Sequence, residues 1–183
     1  MHINDITLQR VSTKSPLFDQ IMHLMHDSFC DDELRNDDEF CAVVNSCPIF
    51  SVNAIMYGGE WCGVLTAWNF GKFLYVEHFA IDPDKRGHGL GYAVIEKLKT
   101  LCRLPIILEV ELPEASDMAP RRIAFYKRCG FDYWNMAYEQ PPYDQTKRSV
   151  PMKLMAAGLQ ETPDNAHIVV ALLYKHVYKV KMK

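Results

Sequence analysis

The sequence has none of the features that would place the protein in a membrane or direct it out of the cell. Its longest apolar run covers residues 168–174, far short of the roughly 20 residues that a membrane-spanning helix needs. Residues 1–5 do not begin a basic segment followed by an apolar run, as a signal peptide would. We therefore expect a cytoplasmic protein that does not associate with membranes.

The cysteines lack the spacing of a metal site. None of the six forms a Cys-x-x-Cys pair, and none is spaced with histidine as in a zinc site. Cys102 and Cys129 lie among apolar neighbours in predicted helices, where free cysteine behaves as a small hydrophobic residue. Cys41 and Cys47 are near enough in sequence for a redox pair, but nothing else supports one. We expect reduced core thiols and no metal.

Positive charge is not in excess either. The chain has 20 lysines and arginines against 23 aspartates and glutamates, a net charge of −3. Without a basic field, nucleic acid is not an expected partner. With 183 residues, 49% of them hydrophobic, the chain is long enough for one domain with a buried core.

A glycine-rich segment, residues 86–91 (Arg-Gly-His-Gly-Leu-Gly), is the most informative feature that is present. It joins a predicted strand that ends within residues 79–83 to an amphipathic helix that should start near Leu90. Glycines at a helix N-terminus leave backbone N–H groups accessible, and the positive end of the helix dipole adds to their attraction for anions. The segment therefore predicts a ligand that carries phosphate.

Two familiar phosphate-binding loops fit this segment poorly. A P-loop needs Gly-Lys-Ser/Thr, whereas Gly91 is followed by Tyr92 and Ala93. The dinucleotide fingerprint needs G-x-G-x-x-G, whereas the spacing here is G-x-G-x-G. Glu111, twenty residues beyond Gly91, keeps a Rossmann-type nucleotide enzyme open as an alternative.

Two motifs together resemble the GNAT superfamily of N-acetyltransferases. Arg86, Gly89 and Gly91 match Arg/Gln-x-x-Gly-x-Gly/Ala, which resembles motif A, the loop that holds the coenzyme A pyrophosphate in that superfamily. Residues 123–131 predict a short helix that ends at a C′ glycine, Gly130, before an aromatic residue that opens a strand. This segment is similar to motif B, whose tyrosine approaches the thioester sulfur.

The resemblance covers roughly residues 3–156 and implies the fold and the ligands. It implies a GNAT-like α/β fold with a mixed, mostly antiparallel sheet flanked by helices, with an added C-terminal helix. The expected division is an acetyltransferase domain at 1–156 and a C-terminal helical extension at 157–183 packed on it. The implied co-substrate is acetyl-CoA, and the residues expected to bind it are Phe79, Ala80, Ile81, Arg86, Gly87, His88, Gly89, Leu90, Gly91 and Tyr126.

The implied reaction is attack of a primary amine on the thioester without a covalent enzyme intermediate. A lysine-like ammonium has a pKa of about 10.4, so its deprotonation at neutral pH costs about 5 kcal/mol. A base is therefore expected, and the candidates are Glu77, Glu109 and Glu111. Each has a structural alternative: Glu77 can brace the sheet, and the other two can lie on a solvated face. Tyr126 is the implied general acid, or else a packing residue.

The acceptor is expected to be a small-molecule or peptide amine, and self-association into a homodimer is left open. Acidic residues crowd positions 31–39 and would attract a cationic amine, although a solvated, helix-capping loop explains them as well. Trp68, Tyr138 and Tyr143 are further candidates for an amine pocket. Ala119 stands where many superfamily members carry asparagine, which puts their side-chain contacts to the coenzyme arm in doubt. A catalytically silent acyl-CoA-binding module is the second alternative.

Apolar periodicity predicts the remaining elements. Strands are expected at residues 6–11, 49–57, 61–70, 73–81, 106–112, 133–139 and 150–155. Helices are expected after Ser15 and Pro16 as N-cap and N1, at 37–45, from Leu90 and at 121–129. Residues 166–178 are predicted as a helix, although their valine pair also favours a strand. The helix from Leu90 should bury a stripe of Leu90, Val94, Leu98 and Leu101.

Overall fold

The computed structural model describes residues 3–181. Met1 and His2, the first residues of the segment that we expect not to be a signal peptide, lie outside the described residues. The chain forms two compact units. The first comprises the chain up to Cys30 together with Asn36–Leu104, and the second comprises Asp31–Arg35 and the chain from Pro105 onward.

The first unit is built from successive antiparallel strands and three helices. Its strands are β1 (Ile6–Val11), β2 (Phe50–Tyr57), β3 (Glu60–Asn69) and β4 (Leu74–Ile81), and each pairs with the next. Its helices are α1 (Phe18–Ser28), α2 (Asp37–Ser46) and α3 (Leu90–Leu101). Gly58 and Gly59 make the β2–β3 hairpin turn with φ values of +58° and +86°, as their sequence predicts.

The second unit is organised around one central strand. Its elements are β5 (Ile106–Glu111), α4 (Ala119–Arg128), β6 (Asp132–Tyr133), β7 (Tyr138–Gln140), β8 (Val150–Ala157) and α5 (Pro163–Leu172). Strand β8 pairs antiparallel with β5, β6 and β7. Helix α5 begins as its sequence predicts, with the Thr162 hydroxyl accepting from the Asn165 amide at 3.2 Å, and continues into a π-helical turn at Leu173–Val177. The helical prediction for 166–178 is confirmed.

The predicted mixed α/β fold, with a mostly antiparallel sheet, flanking helices and a C-terminal helix, is confirmed. No helix within residues 3–181 is both long enough and apolar enough to cross a membrane. The division of the chain at residue 156 stays a prediction.

Three local predictions are wrong. Helix α1 begins at Phe18 rather than after Ser15, because residues 15–17 close a turn in which the Phe18 amide donates to the Ser15 carbonyl at 3.0 Å. The strand at 133–139 is interrupted, because the amides of Asn135 and Met136 each donate to the Glu161 carboxylate at 2.8 Å instead of to a neighbouring strand. Leu101 is 60% exposed, because α3 ends there and no further turn covers its side chain.

The thiols are free, but few belong to the core. Cys62 and Cys129 are buried, Cys30 is exposed, and the other three are half-buried. The prediction of reduced thiols therefore stands, whereas their general assignment to the core is wrong. Burial raises the pKa of the Cys62 thiol to about 11, which keeps it protonated and unreactive at neutral pH.

Candidate active site

The loop between β4 and α3 has a backbone conformation that favours glycine. Gly87, His88 and Gly89 have φ values of +90°, +52° and +78°, three successive left-handed conformations. Glycine adopts these angles without the steric cost that a side chain brings. The Arg86 guanidinium Nε donates to the Ile81 carbonyl at 2.9 Å and thereby ties the start of the loop to the end of β4.

The loop presents unused hydrogen-bond donors in front of open space. Among residues 3–181, the amides of Gly87, His88 and Gly89 donate to no backbone carbonyl, whereas the first amide of α3, that of Leu90, donates to the Gly87 carbonyl at 3.3 Å. The next N–H groups of the first turn of a helix have no partner within the helix. A Cβ built on Gly87 or Gly89 would meet nothing within 4 Å. No acidic residue lies in the first turn of α3. These donors, this space and the helix dipole fit a phosphate-bearing ligand.

Three of the residues predicted to bind acetyl-CoA lead directly into this loop. Phe79, Ala80 and Ile81 are the last three residues of β4 and pair with β3. The approach of the two strands is close, since a Cβ on Gly63 would lie 2.3 Å from the Ala80 carbonyl oxygen. The pairing with β3 therefore fixes the path of β4 into the glycine loop.

Glu77 is the extra residue of a β-bulge. Val76 lies opposite Ala67 and His78 lies opposite Thr66, so Glu77 is the additional residue between these two register pairs. The bulge breaks the alternation that would place Glu77 on one face with its neighbours at positions 75 and 79. Its side chain is 1% exposed, and the Trp68 indole N–H donates to its Oε2 at 3.1 Å. This arrangement favours a sheet-bracing role, and it removes Trp68 from an open amine pocket.

The two histidines near these residues lie in different surroundings. The Thr66 hydroxyl lies 3.0 Å from His78 Nδ1, and the ring of Phe29 packs edge-on at 4.8 Å. The His78 side chain is 3% exposed, so it belongs to the core of the first unit. His88, in contrast, is an exposed residue of the glycine loop.

Glu109 is held between two tyrosine hydroxyls in the second unit. The Tyr138 hydroxyl donates to Oε1, and the Tyr178 hydroxyl lies 3.0 Å from Oε1 and 2.8 Å from Oε2. Burial, and next the charge of Glu109, raise the pKa of Tyr138 well above its usual value, so its phenol stays protonated as a donor. The expectation of a solvated face is therefore wrong for Glu109. Sequence reasoning missed Tyr178, because it lies 69 positions away with no motif around it.

Glu111 has a different partner. Its Oε2 accepts from Arg122 Nη1 at 2.8 Å, and their side chains are 22% and 40% exposed. This ion pair joins β5 to α4 and occupies the carboxylate.

Tyr126 is fixed by the end of α4. The Phe131 amide donates to the Tyr126 carbonyl at 3.0 Å, and Gly130 has φ +76°, the Schellman ending that its sequence predicts. The rings of Phe125 and Phe131 lie 5.1 and 5.6 Å from the Tyr126 ring. Burial raises the pKa of the Tyr126 phenol far above its usual value, against a smaller opposing effect of Arg122.

Some of the acidic side chains at 31–39 already make contacts within the protein. Lys147 pairs with Asp31 at 2.5 Å, and the Arg148 amide donates to Asp32 Oδ1 at 2.8 Å. Asp37 lies 2.9 Å from His26. These contacts favour the capping and anchoring explanation over a free acidic rim.

A cavity of about 560 Å³ opens in the second unit, and none of the predicted site residues is among those that line it, although the ring of Tyr138 lies 6.1 Å from the ring of Tyr174, which does. Its lining is largely apolar, with Glu139, His167, Tyr174 and Lys181 among the polar members. The Tyr174 hydroxyl donates to the Glu139 carbonyl at 2.8 Å. Among the described residues, no group of three His, Cys, Asp or Glu side chains could hold a metal ion.

Comparison with known proteins identifies relatives. The family model of the acetyltransferase (GNAT) family matches residues 15–131. A solved structure from Bacteroides thetaiotaomicron, described as a proposed acetyltransferase of the GNAT family, is 34% identical to this chain and has a TM-score of 0.91. The match covers 96% of this chain and 99% of that one. The Bacillus subtilis protein YjbC, a proposed acetyltransferase, is 37% identical over 71 residues, which is 38% of this chain and 36% of its own length.

A more distant structure shows the same fold. Arabidopsis thaliana Naa50, in complex with the bisubstrate analogue CoA-Ac-MVNAL, is 16% identical with a TM-score of 0.60. That match covers 85% of this chain and 99% of Naa50.

Proposed function

Because this chain belongs to the GNAT family of acetyltransferases, we propose that it transfers an acetyl group from acetyl-CoA to a primary amine by direct attack. The observation that carries the proposal is the run of left-handed residues at 87–89, with accessible amides and open space. The fold relative Naa50 holds an analogue that joins coenzyme A to a peptide, which supports a peptide or small-molecule amine as the acceptor. The groups proposed to react or to bind the coenzyme lie within residues 1–156.

The proposed reaction can be followed bond by bond, with residues of this chain assigned to bind the coenzyme. The amine nitrogen attacks the thioester carbonyl carbon, the C–S bond breaks, and the sulfur leaves as a thiolate. The loop at 87–91 binds the pyrophosphate through backbone amides. Phe79, Ala80 and Ile81 lie beside the acyl arm.

Glu109 is the proposed acceptor of the amine proton. The Glu77 side chain is buried and bonded to Trp68, and Glu111 is paired with Arg122. Glu109 is half-buried and accepts hydrogen bonds from the hydroxyls of Tyr138 and Tyr178. We therefore propose the carboxylate that these two phenols hold as the base for an ammonium of pKa about 10.4.

Tyr126 is the proposed donor to the departing sulfur. Tyr126→Phe should lower turnover at least about tenfold, because loss of a general acid typically costs 10² to 10⁴ and solvent partly replaces it. Since burial raises the pKa of this phenol, it stays protonated, and the loss should be constant between about pH 6 and 9. The rise in melting temperature with acetyl-CoA should barely change. Steady-state rates and thermal melts measure both.

Tyr133→Phe is the matched control, because it removes a half-buried phenol whose ring packs under Lys127 at 5.6 Å. It should retain parental turnover. A Tyr126→Phe rate within twofold of the parent would assign Tyr126 to packing alone.

The activity itself is tested by thiol release. We expect acetyl-CoA, but not NAD, to raise the melting temperature, and an amine panel of polyamines and peptides with free N-termini to yield free coenzyme A thiol. Binding without thiol release for any amine would favour the silent acyl-CoA-binding module. Stabilisation by NAD in place of acetyl-CoA would favour a nucleotide enzyme.

A further inference from the structure

The C-terminal segment reaches the proposed base through one side chain. The Tyr178 hydroxyl lies within hydrogen-bond distance of both carboxylate oxygens of Glu109, at 3.0 and 2.8 Å. Tyr178 is 3% exposed, so this contact is sheltered from water. Tyr138 supplies the second phenol to the same carboxylate. One strand residue and one C-terminal residue thus converge on Glu109.

Tyr178 is held in place by the turn that precedes it. The π-helical turn at Leu173–Val177 ends with the Tyr178 amide donating to the Leu173 carbonyl at 3.1 Å. Arg35, itself buried, donates to the Val177 carbonyl at 3.0 Å. π-Helical turns inside helices are frequently found at functional sites.

Aromatic packing fixes the ring as well. The Tyr143 ring lies 5.0 Å from the Tyr178 ring, and the Arg35 guanidinium lies 4.4 Å above the Tyr143 ring. Tyr178 is therefore constrained through its backbone, through its ring and through its hydroxyl. Such constraint is what an accurately placed hydrogen-bond donor requires.

We infer that Tyr178 is a positioning residue for the transfer reaction, which holds the Glu109 carboxylate, together with Tyr138, in the orientation in which it accepts the amine proton. The inference rests on the proposed function. It makes residues beyond 157 part of the catalytic apparatus rather than a packed extension. The proton leaves the amine nitrogen for a Glu109 oxygen, and neither phenol is consumed.

The surroundings of Glu109 predict the direction of a pH effect. Among the described residues, the groups near it include the phenols of Tyr138, Tyr178 and Tyr174, with Tyr143 close to Tyr138 and the Arg35 cation stacked on Tyr143. Phenols that donate to a carboxylate stabilise its ionised form. Removing one of them therefore favours the protonated form, in which Glu109 cannot accept a proton, and moves the acidic limb of the rate profile to higher pH.

Tyr178→Phe tests the inference, with Tyr174→Phe as the matched control. Both variants remove one hydroxyl from the C-terminal segment, but Tyr174 donates to the Glu139 carbonyl instead. Tyr178→Phe should lower kcat/KM at pH 7 by about tenfold, the effect of a lost hydrogen bond to a charged group. Its acidic limb should move to higher pH, and NMR titration of ¹³C-labelled glutamate carboxyls should show the same shift at Glu109. Tyr174→Phe should leave the rate profile and the Glu109 titration at parental values.

Several results would overturn the inference. A parental Glu109 titration in Tyr178→Phe would show that the hydroxyl does not act on the carboxylate. A shifted titration with a parental rate profile would show that Glu109 is held but is not the base, while the transferase activity stands. Absence of thiol release in the parent would reject the proposed function and the role of Tyr178 with it. If Tyr178→Phe does not fold, Tyr138→Phe removes the other donor and should shift both measurements the same way.

Discussion

Substituting Gly89 by valine is expected to abolish the rise in melting temperature that acetyl-CoA gives the parent. Gly89 has φ +78°, and a Cβ there points into space that is open in front of the α3 N-terminus. A ligand at a hundred times its dissociation constant stabilises a protein by about 2.7 kcal/mol. At roughly 2–4 °C per kcal/mol, the shift to be lost is roughly 5–11 °C. Thermal melts with and without saturating acetyl-CoA measure it.

Gly71→Val separates loss of binding from backbone strain. Gly71 lies in the turn between β3 and β4 with φ +75°, and a Cβ there also meets nothing within 4 Å. Valine at either position meets the same unfavourable backbone angle, so both variants should melt earlier than the parent without ligand. Only Gly71→Val should keep the shift. A full shift in Gly89→Val would exclude the loop from the binding site.

Glu109→Gln should lower turnover at pH 7 by about 10² to 10⁴, the usual effect of losing a general base. The amide keeps the size of the side chain and an oxygen that can accept from Tyr178. Turnover should recover in part at higher pH, because more of the amine is then free of its proton. Rates between pH 6 and about 10 with one saturating amine measure the loss and the recovery.

Glu114→Gln, an exposed residue after β5, is the matched acid-to-amide control and should behave as the parent. The variants Glu77→Gln and Glu111→Gln discriminate between the remaining candidates. A large, pH-rescued loss in either of them, with parental rates in Glu109→Gln, would move the base to that residue. Parental profiles in all three would mean that the base is elsewhere or that the amine arrives already neutral.

The local geometry of the two motifs was predictable from sequence. Gly89 and Gly130 both lie at helix ends with positive φ. Glycine at such a position predicts this conformation, because a residue without a Cβ adopts positive φ at no steric cost. The helix from Leu90 and its buried Val94 followed from apolar spacing. These features depend on neighbours within a few residues, which is the range over which sequence patterns are informative.

The environment of each carboxylate depended on tertiary structure. A bulge in β4 buries Glu77 against Trp68, and an ion pair with Arg122 occupies Glu111. No periodicity in the sequence encodes either contact, because bulges and cross-element pairs arise from how strands register and helices pack.

We could infer the family, the glycine loop and the helix ends from the order of the amino acids, because backbone angles and apolar periodicity are local properties of the chain. Tertiary structure decided which glutamate is bonded to which partner, since the contact between Glu109 and Tyr178 joins positions 69 residues apart. It also decided that Leu101 is exposed at the end of α3. The physical reason is the same in both cases: burial and hydrogen bonding of a side chain depend on residues that approach it only once the chain has folded.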